Sequence, residues 1–388
     1  MFYVKIKGIV VFFFFFFGLL FSFSSFAQFS VLQMQQKRVL HRSTLLKDGN
    51  VLITGGVSSL KPIPWPISHA ELFLAREKRF VSLSSMNASH TEHTTTLLNN
   101  GNVVVTGGNL NPTLEIFDSQ RGVFHSLRAP LSARAGHTVH VMNDKLFLMG
   151  GYYVSIHFFE MKGMDLAPRA PQEFGYDLIA LKDCEIYDLK TQTSRLIPFP
   201  SWIPKLTFHR SVQLSNGHII IVGGMGGREK VIEFNPETEE FSLRGTLAVP
   251  REDHEMDFLD DHRLFITGGT DQTPKTVASM EIFDLTTNRS ELLPFSLHEA
   301  REDHSLVPLK EGLFMVVGGE IHSNPDIILK SAELINLNKG TVTLMKDLLP
   351  EGRSDHQTTV LNDGSLLITG GEAQNGTILS SAPFLAGF

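Results

Sequence analysis

The sequence predicts an all-β protein, a seven-bladed β-propeller made of four-stranded blades. One pattern occurs seven times, each copy contains a hairpin, and the last copy lacks a strand that the N-terminal region can supply. Four strands repeated at roughly 45 to 50 residues are typical of propeller blades. The copies run from a histidine to a glycine pair: His41 to Gly56, His93 to Gly108, His137 to Gly151, His209 to Gly224, His254 to Gly269, His304 to Gly319 and His356 to Gly371.

Each copy begins with a half-apolar strand, a tight turn and a fully apolar strand. The turns are KDG, NNG, NDK, SNG, DDH, KEG and NDG. Asn, Asp and Gly tolerate positive φ, which hairpin turns require. The second strands are VLIT, VVVT, LFLM, IIIV, LFIT, FMVV and LLIT. Such runs predict strands covered on both faces, as in stacked sheets, and the glycine pair permits a sharp turn.

A third strand follows each glycine pair in six copies. Its motifs are AELF, LEIFD, CEIYD, IEFN, MEIFD and AELIN, with Glu71, Glu115, Glu185, Glu233, Glu281 and Glu333. A fourth strand, such as FVSLSSM or VTLMKDL, comes next. The seventh copy ends at its third strand, SSAPFLAGF, while QFSVLQM at residues 28–34 resembles a fourth strand. We therefore expect both chain ends to complete one blade and close the ring.

Residues 1–27 have the layout of a secretory signal peptide. Lys5 and Lys7 precede an uncharged apolar stretch, and small residues lead to Ala27. This predicts cleavage after Ala27, a single domain over residues 28–388, and a secreted or periplasmic location. The alternative is an uncleaved membrane anchor, for which the apolar stretch is short. No later segment is apolar enough to span a membrane.

Charge and cysteine content exclude several classes. The formal net charge is -7, and removing Lys5 and Lys7 makes it -7 - 2 = -9, with no basic stripe. A nucleic-acid partner is therefore not expected. The single cysteine, Cys184, cannot form an internal disulfide.

The combination of Arg-x-x-His, Asp-Gly-x-Val-x-x-x-Gly-Gly and Glu-x-Phe-Asp resembles the kelch repeat. It is most similar to the form found in the seven-bladed propeller of galactose oxidase-like proteins, and it covers essentially all of residues 28–388. The resemblance implies a fold and leaves the activity open, because kelch propellers include enzymes, sugar binders and protein-binding platforms.

A histidine occupies the same place in all seven copies, which predicts a structural role rather than catalysis. These residues are His41, His93, His137, His209, His254, His304 and His356.

Five arginines stand three positions before the histidine, at the crossing between blades. We expect them to surround the mouth of the central channel and contribute to ligand binding. Kelch domains of similar sequence use such arginines to hold ligand carboxylates. The alternative is salt bridging to neighbours such as Glu252, Asp253 and Asp303. The arginines are Arg38, Arg134, Arg251, Arg301 and Arg353; His90 and Leu206 replace them in two copies.

Irregular loops provide further ligand-binding candidates on the same face. Trp65 lies in a Pro-rich loop of blade one, Trp202 in the crossing into blade four, and Tyr152 and Tyr153 begin a long loop of blade three. Aromatic side chains can stack on a sugar or anchor a protein. The alternative is that the two tryptophans only fill the cores of their loops.

No metal or cofactor is expected. In His90-Thr91-Glu92-His93, strand alternation would direct His93 away from His90 and Glu92. A galactose oxidase-type copper site is not expected either, because Cys184 lies within a repeated strand motif and no Tyr-His pair occupies a suitable loop. Phosphate-binding loops and nucleophile elbows are absent from the sequence.

The sequence thus predicts a binding module for a carbohydrate or a protein ligand, without chemistry of its own. The alternative is a sugar-modifying enzyme resembling sialic acid mutarotases, although that family is six-bladed.

Overall fold

The computed structural model describes residues 28–60, 64–158, 174–203, 205–310 and 312–386. The predicted signal peptide lies outside these ranges. The described chain is all-β and forms seven four-stranded antiparallel sheets, which confirms the predicted seven-bladed propeller. None of its described segments forms a helix with the length and apolar character needed to cross a bilayer.

In blades one to six, the chain fills each sheet from the central channel outwards. Blades one to three contain β2 Arg42–Leu45, β3 Val51–Thr54, β4 Ala70–Leu74, β5 Arg79–Ser82; β6 Thr94–Leu97, β7 Val103–Thr106, β8 Leu114–Asp118, β9 Val123–Ser126; β10 Thr138–Met142, β11 Lys145–Met149, β14 Asp183–Asp188 and β15 Thr193–Pro198. Blades four to six contain β16 Arg210–Gln213, β17 Ile219–Val222, β18 Lys230–Asn235, β19 Glu240–Thr246; β20 Glu255–Asp260, β21 Arg263–Thr267, β22 Met280–Asp284, β23 Arg289–Leu292; β24 Ser305–Lys310, β25 Leu313–Val317, β28 Ala332–Asn336 and β29 Thr341–Met345.

Blade seven closes the ring with strands from both ends of the described chain. It contains β30 Gln357–Val360, β31 Leu366–Thr369, β32 Ser381–Ala386 and, outermost, β1 Gln28–Gln33. The pairing of β1 with β32 runs antiparallel from Gln28 opposite Ala386 to Gln33 opposite Ser381. The predicted joining of the N-terminal strand to the last blade is confirmed.

Two blades carry extra hairpins between their second and third strands. In blade three, β12 Tyr152–Phe158 pairs with β13 Phe174–Ala180, where the sequence predicted a long loop. In blade six, β26 Glu320–Ile321 pairs with β27 Ile327–Ile328. These hairpins lie on the face that also receives the blade crossings, because Tyr152 bridges to Ala135 in the crossing before β10.

The hydrophobic core lies between successive blades. All four residues of β3, β7, β17 and β31 are buried. Phe147 of blade three and Phe234 of blade four have ring centroids 6.0 Å apart, and Phe73 of blade one lies 6.3 Å from Phe384 of blade seven. Both faces of each sheet are therefore covered by neighbouring blades, as the apolar runs predicted.

The repeated histidines are buried and connect one blade to the next. In five interfaces, a threonine hydroxyl lies within hydrogen-bond distance of the imidazole Nε2, as in the 2.7 Å contact between Thr54 and His93. The others are Thr369 with His41, Thr106 with His137, Thr138 with His209 and Thr267 with His304; a serine, Ser305, serves His356. This geometry supports a structural role for these histidines.

His254 lacks such a hydroxyl. Both of its ring nitrogens are buried and have no hydrogen-bond partner among the residues that the structure describes. Burial, followed by the charges of Arg210 and Arg251, lowers its pKa well below the usual range. Val222 occupies the place that Thr267 has in the next blade.

Val222→Thr is therefore expected to stabilise the fold by about 1 kcal/mol, the net contribution of a typical hydrogen bond. The free energy of unfolding in urea measures it. Val317→Thr is the control, since His356 already has Ser305; an equal gain at both sites would contradict the explanation.

Candidate functional site

The five arginines do not project into the channel mouth. Each is fully buried inside its blade, so the predicted ring of ligand-binding arginines is wrong in its geometry. In blade five, Arg251 Nη2 donates to Glu281 Oε1 at 2.6 Å, and Nη1 donates to the Gly268 carbonyl at 2.6 Å. Equivalent ion pairs join Arg38 to Glu71, Arg134 to Glu185 and Arg301 to Glu333.

The glutamate of each such pair also holds the crossing that enters its blade. Glu281 accepts a hydrogen bond from Ala248 N at 2.7 Å, and Glu71 accepts one from Gln35 N at 2.8 Å. In blade two, His90 replaces the arginine and contacts Glu115 at 3.1 Å. Arginine and glutamate are thus parts of one buried polar network that fixes the crossings, and they present no surface to a ligand.

Blade seven keeps the arginine without the glutamate. Arg353 donates to the Gly370 carbonyl at 2.8 Å and to Ser381 Oγ at 3.1 Å, and Ser381 in turn donates to Glu351 at 2.8 Å.

Blade four lacks both members of the ion pair. Ile220 lies opposite Glu233, one residue out of register with the other blades, where the glutamate faces the last residue but one of the second strand. Strand alternation therefore places Ile232 at the equivalent position and Glu233 on the opposite sheet face, so the sequence alignment of Glu233 with the other glutamates is wrong. Leu206 and Ile232 are buried together in one apolar cluster.

Trp202 belongs to this apolar crossing. Its side chain is half-buried and packs against the cluster that includes Phe199, Ile203 and Leu206. Pro198 and Pro200 have no N–H groups, so the crossing requires fewer acceptors than the others do. This position agrees with the alternative interpretation, in which Trp202 fills the core of its own loop.

Seven residues with positive φ, one of them a glycine, surround the channel axis where the crossings meet. Each directly precedes a repeated histidine and has φ between 46° and 57°. They are Leu40, Glu92, Gly136, Phe208, Asp253, Asp303 and Asp355. We call them the axial ring.

Backbone hydrogen bonds join neighbouring members of the axial ring. Leu40 N donates to the Asp355 carbonyl at 3.3 Å, Glu92 N to Leu40 at 3.0 Å, and Asp355 N to Asp303 at 3.3 Å. Since these peptides bond around the axis, the ring is part of the rigid frame while its side chains differ from blade to blade.

The axial ring forms the mouth of a cavity of about 630 Å³. A second layer from the inner strands lines the cavity, and this layer includes Arg42, Thr94, Thr138, Arg210, Glu255 and Gln357. The cavity is within the size range of small-molecule sites. Its lining combines carboxylates, hydroxyls, an amide and two guanidinium groups, and we call it the axial cavity.

Asp253, Asp303 and Asp355 form a continuous acidic arc over blades five to seven. Among the described residues, no donor or cation forms a hydrogen bond or ion pair with these half-buried carboxylates. Burial first, and then neighbouring carboxylates, raise the pKa of Asp303 and Asp355 well above the usual range; burial and Asp303 do the same for Asp253.

A carboxyl group whose pKa is higher in the folded state favours folding at low pH, and this contribution is lost as pH rises through the raised pKa. Asp303→Asn is therefore expected to raise the melting temperature at pH 7 and to leave it unchanged below about pH 4, near the ordinary pKa of Asp. Thermal unfolding across this range measures the difference. Asp326→Asn, at an exposed loop on the same face, is the control; a gain independent of pH would contradict the assignment.

The two cavity arginines differ in their partners. Arg210 forms a 2.7 Å ion pair with Glu255, and although burial opposes the charged form, Glu255 and the ring aspartates raise its pKa. Arg42 donates only to the His41 carbonyl at 3.3 Å and forms no ion pair within the described part of the chain. Burial, followed by the charge of Arg210, lowers the pKa of Arg42.

The remaining arc of the ring is largely apolar. Tyr152, 5% exposed, has its ring 5.7 Å from that of Phe208 and lies against Gly136, where a Cβ would be 3.0 Å from its Cε1. Its hydroxyl donates to Glu92 at 2.6 Å. Tyr152 is thus next to the axial cavity, where it fills the gap that Gly136 leaves.

Trp65 and Tyr153 are 58% and 40% exposed. Trp65 lies beside Pro66, which bridges to Val57, and Tyr153 lies on β12. Both remain accessible to a ligand, on the side of blades one and three.

Two further positions considered for metal chemistry have other surroundings. Cys184 is buried in β14, and burial raises its pKa. Glu92 turns to the axis because its φ is 46°, so His90 and Glu92 do not project together as strand alternation predicted. Within the described ranges, no group of His, Cys, Asp and Glu has an arrangement suited to a metal ion.

Comparisons with known proteins establish the fold. No family model and no curated protein matches the chain. Among solved structures, it is similar to a novel fungal alcohol oxidase with catalytic diversity among the AA5 family, in complex with copper. The two share 15% identity with a TM-score of 0.70, over 93% of this chain and 76% of that chain. At this identity the likeness concerns the fold alone.

Proposed function

We propose that the protein is a binding module that takes a carbohydrate in the axial cavity. The observation that carries the proposal is the acidic arc of Asp253, Asp303 and Asp355, whose carboxyl groups face a polar cavity and have no hydrogen-bond or ion-pair partner among the described residues. Sugar hydroxyls donate well to carboxylates, and hydrogen bonds to charged acceptors are among the stronger ones.

The opposite arc complements such a ligand. Phe208 and Leu40 offer apolar surface for the C–H groups of a sugar ring, while Thr94, Thr138 and Gln357 offer further polar contacts. A protein ligand is the second candidate, supported by the exposed Trp65 and Tyr153 on the same face. The secreted or periplasmic location remains a prediction from residues 1–27.

A panel of sugars tests the proposal by thermal shift and titration calorimetry. A ligand at one hundred times its Kd should stabilise the fold by about 2.7 kcal/mol. We expect Asp303→Asn and Asp355→Asn to weaken binding and Asp326→Asn to leave it unchanged. Equal stabilisation of all variants by a sugar would place binding outside the axial cavity.

The alternative, a sugar-modifying enzyme, uses the same cavity differently. Carboxyl groups with raised pKa can donate a proton near neutral pH, as general acid catalysis requires. Anomer interconversion followed by NMR distinguishes the two: acceleration that disappears in Asp303→Asn would support the enzyme, and its absence would support a binding module.

A further inference from the structure

The axial cavity contains ionisable groups of both signs that form no ion pair within the described part of the chain. In the buried networks of blades one, three, five and six, by contrast, the charges are matched, as for Arg251 with Glu281. Half-buried charges without partners are costly, because burial removes hydration that nothing replaces. The unmatched groups therefore indicate what a ligand would bring.

The negative groups lie side by side. Asp355 N donates to the Asp303 carbonyl, so the two residues are neighbours in the axial ring, and both side chains line the cavity. Asp253 continues the arc, and Arg210 attracts both Asp253 and Asp303. The space before Asp303 and Asp355 is thus bounded by two neighbouring carboxyl groups that form no ion pair with any described residue, and an ammonium group placed there would favour their charged form.

The positive group is Arg42, in the layer below Leu40. It interacts favourably with Glu92, Glu255 and Asp355, yet it forms an ion pair with none of them. Arg210, in the same layer, already binds Glu255. A guanidinium group in a cavity favours a carboxylate or phosphate, which can accept two parallel hydrogen bonds.

We propose that the ligand of the axial cavity is a zwitterionic sugar, an amino sugar that also carries a carboxylate. Its ammonium group lies between Asp303 and Asp355, its carboxylate binds Arg42, and its ring contacts Phe208. This inference rests on the proposed carbohydrate-binding function and names the class of sugar.

Singly charged or neutral sugars match the cavity less well. A neutral sugar provides no counterion for Arg42 or for the acidic arc. An amino sugar provides a cation for the arc but no anion for Arg42. A sugar acid provides an anion for Arg42 but no cation for Asp303 and Asp355. Only a ligand with both charges satisfies both sets of groups.

Four ligands on one pyranose frame test the inference: glucose, glucosamine, glucuronate and muramic acid, which are neutral, cationic, anionic and zwitterionic. Titration calorimetry at pH 7 should give muramic acid the lowest Kd, by about tenfold or more relative to each of the others, as expected for one additional charge-assisted contact. A singly charged sugar that binds as tightly as muramic acid would overturn the inference.

Variants assign each charge to its partner. Arg42→Gln should remove the advantage of muramic acid over glucosamine, and Arg42→Lys should retain part of it. Asp303→Asn with Asp355→Asn should remove its advantage over glucuronate. Arg121→Gln and Asp326→Asn, both at exposed positions, are the matched controls.

The outcomes separate this inference from the function on which it rests. Equal binding of all four sugars would be consistent with a carbohydrate-binding cavity but would overturn the inference that its ligand is zwitterionic. Binding of none would overturn both. Melting temperatures establish that each variant is folded, and Arg42→Lys keeps the charge if Arg42→Gln fails to fold.

Discussion

Arg251→Leu is expected to destabilise the propeller by about 3 to 5 kcal/mol, because it leaves the carboxylate of Glu281 buried without its cation. Arg251 is fully buried, and its guanidinium also donates to the carbonyls of Gly268 and Ser279. Replacing both partners is expected to cost much less, since an apolar pair of similar volume needs no counterion. The double variant Arg251→Leu with Glu281→Ile should therefore recover most of the loss.

Blade four contains this double replacement naturally, as Leu206 and Ile232. Its crossing is also rich in proline, whereas the crossing into blade five still has Ala248 N, which bonds to Glu281. The free energy of unfolding of the double variant should thus remain about 1 to 2 kcal/mol below that of the parent, because the N–H group of Ala248 loses its hydrogen-bond acceptor. A double-mutant cycle in urea measures the coupling; if the single and double variants are equally destabilised, the ion pair does not have the role we assign.

Gly268→Ala is expected to destabilise the fold by about 3 kcal/mol, through both its backbone conformation and a steric clash. Gly268 has φ of 60°, and a Cβ there would lie 2.3 Å from the Arg301 carbonyl oxygen and 2.7 Å from His304 Cε1. Both atoms belong to the crossing and the histidine that join blade five to blade six. Neither can move without opening this interface.

Gly340→Ala separates the two contributions. Gly340 has φ of 62°, but the nearest atom to its Cβ would be Phe295 Cε1 at 3.5 Å. Only the cost of the left-handed conformation remains, about 1 to 2 kcal/mol. Urea unfolding of both variants gives the difference; equal losses would show that the close contact between blades is not what requires glycine.

The repeats made the fold predictable. Apolar second strands, hairpin turns and the missing last strand are local patterns, and each has one structural solution in a closed ring. The structural role predicted for the histidines rests on the same reasoning, since a residue common to all blades serves what the blades share, and their contacts between blades support it. The insertion in blade three was misjudged, because a predicted loop forms the strands β12 and β13, and the hairpin of β26 and β27 in blade six was not predicted.

The direction of the arginines was not predictable from their position. The crossing lies at the channel mouth, but whether a side chain points to the axis or into the blade depends on backbone dihedrals. Arg251 turns inwards to Glu281, while Asp253, with φ of 50°, faces the axis. Aspartate tolerates left-handed φ better than most residues. The tolerance of aspartate for left-handed φ, together with the variation from blade to blade of the residue that precedes the repeated histidine, could have identified the axial ring.

The register of blade four was also hidden. The motif IEFN resembles the other third strands by its glutamate, yet Ile232 is the residue that aligns with their glutamates, and Phe234 aligns with Phe73. The apolar residue fixes the register because it must be buried, and a shift by one residue moves the glutamate to the other face.

The most direct test of the account compares ligand binding to Arg42→Gln with binding to the double variant Arg251→Leu with Glu281→Ile. Titration calorimetry with muramic acid is the measurement. We predict that the double variant keeps the affinity of the parent, because Arg251 and Glu281 support the frame of the blade and lie outside the cavity, and that Arg42→Gln binds about tenfold more weakly or worse. Loss of binding in the folded double variant, with affinity intact in Arg42→Gln, would contradict the placement of the site in the axial cavity.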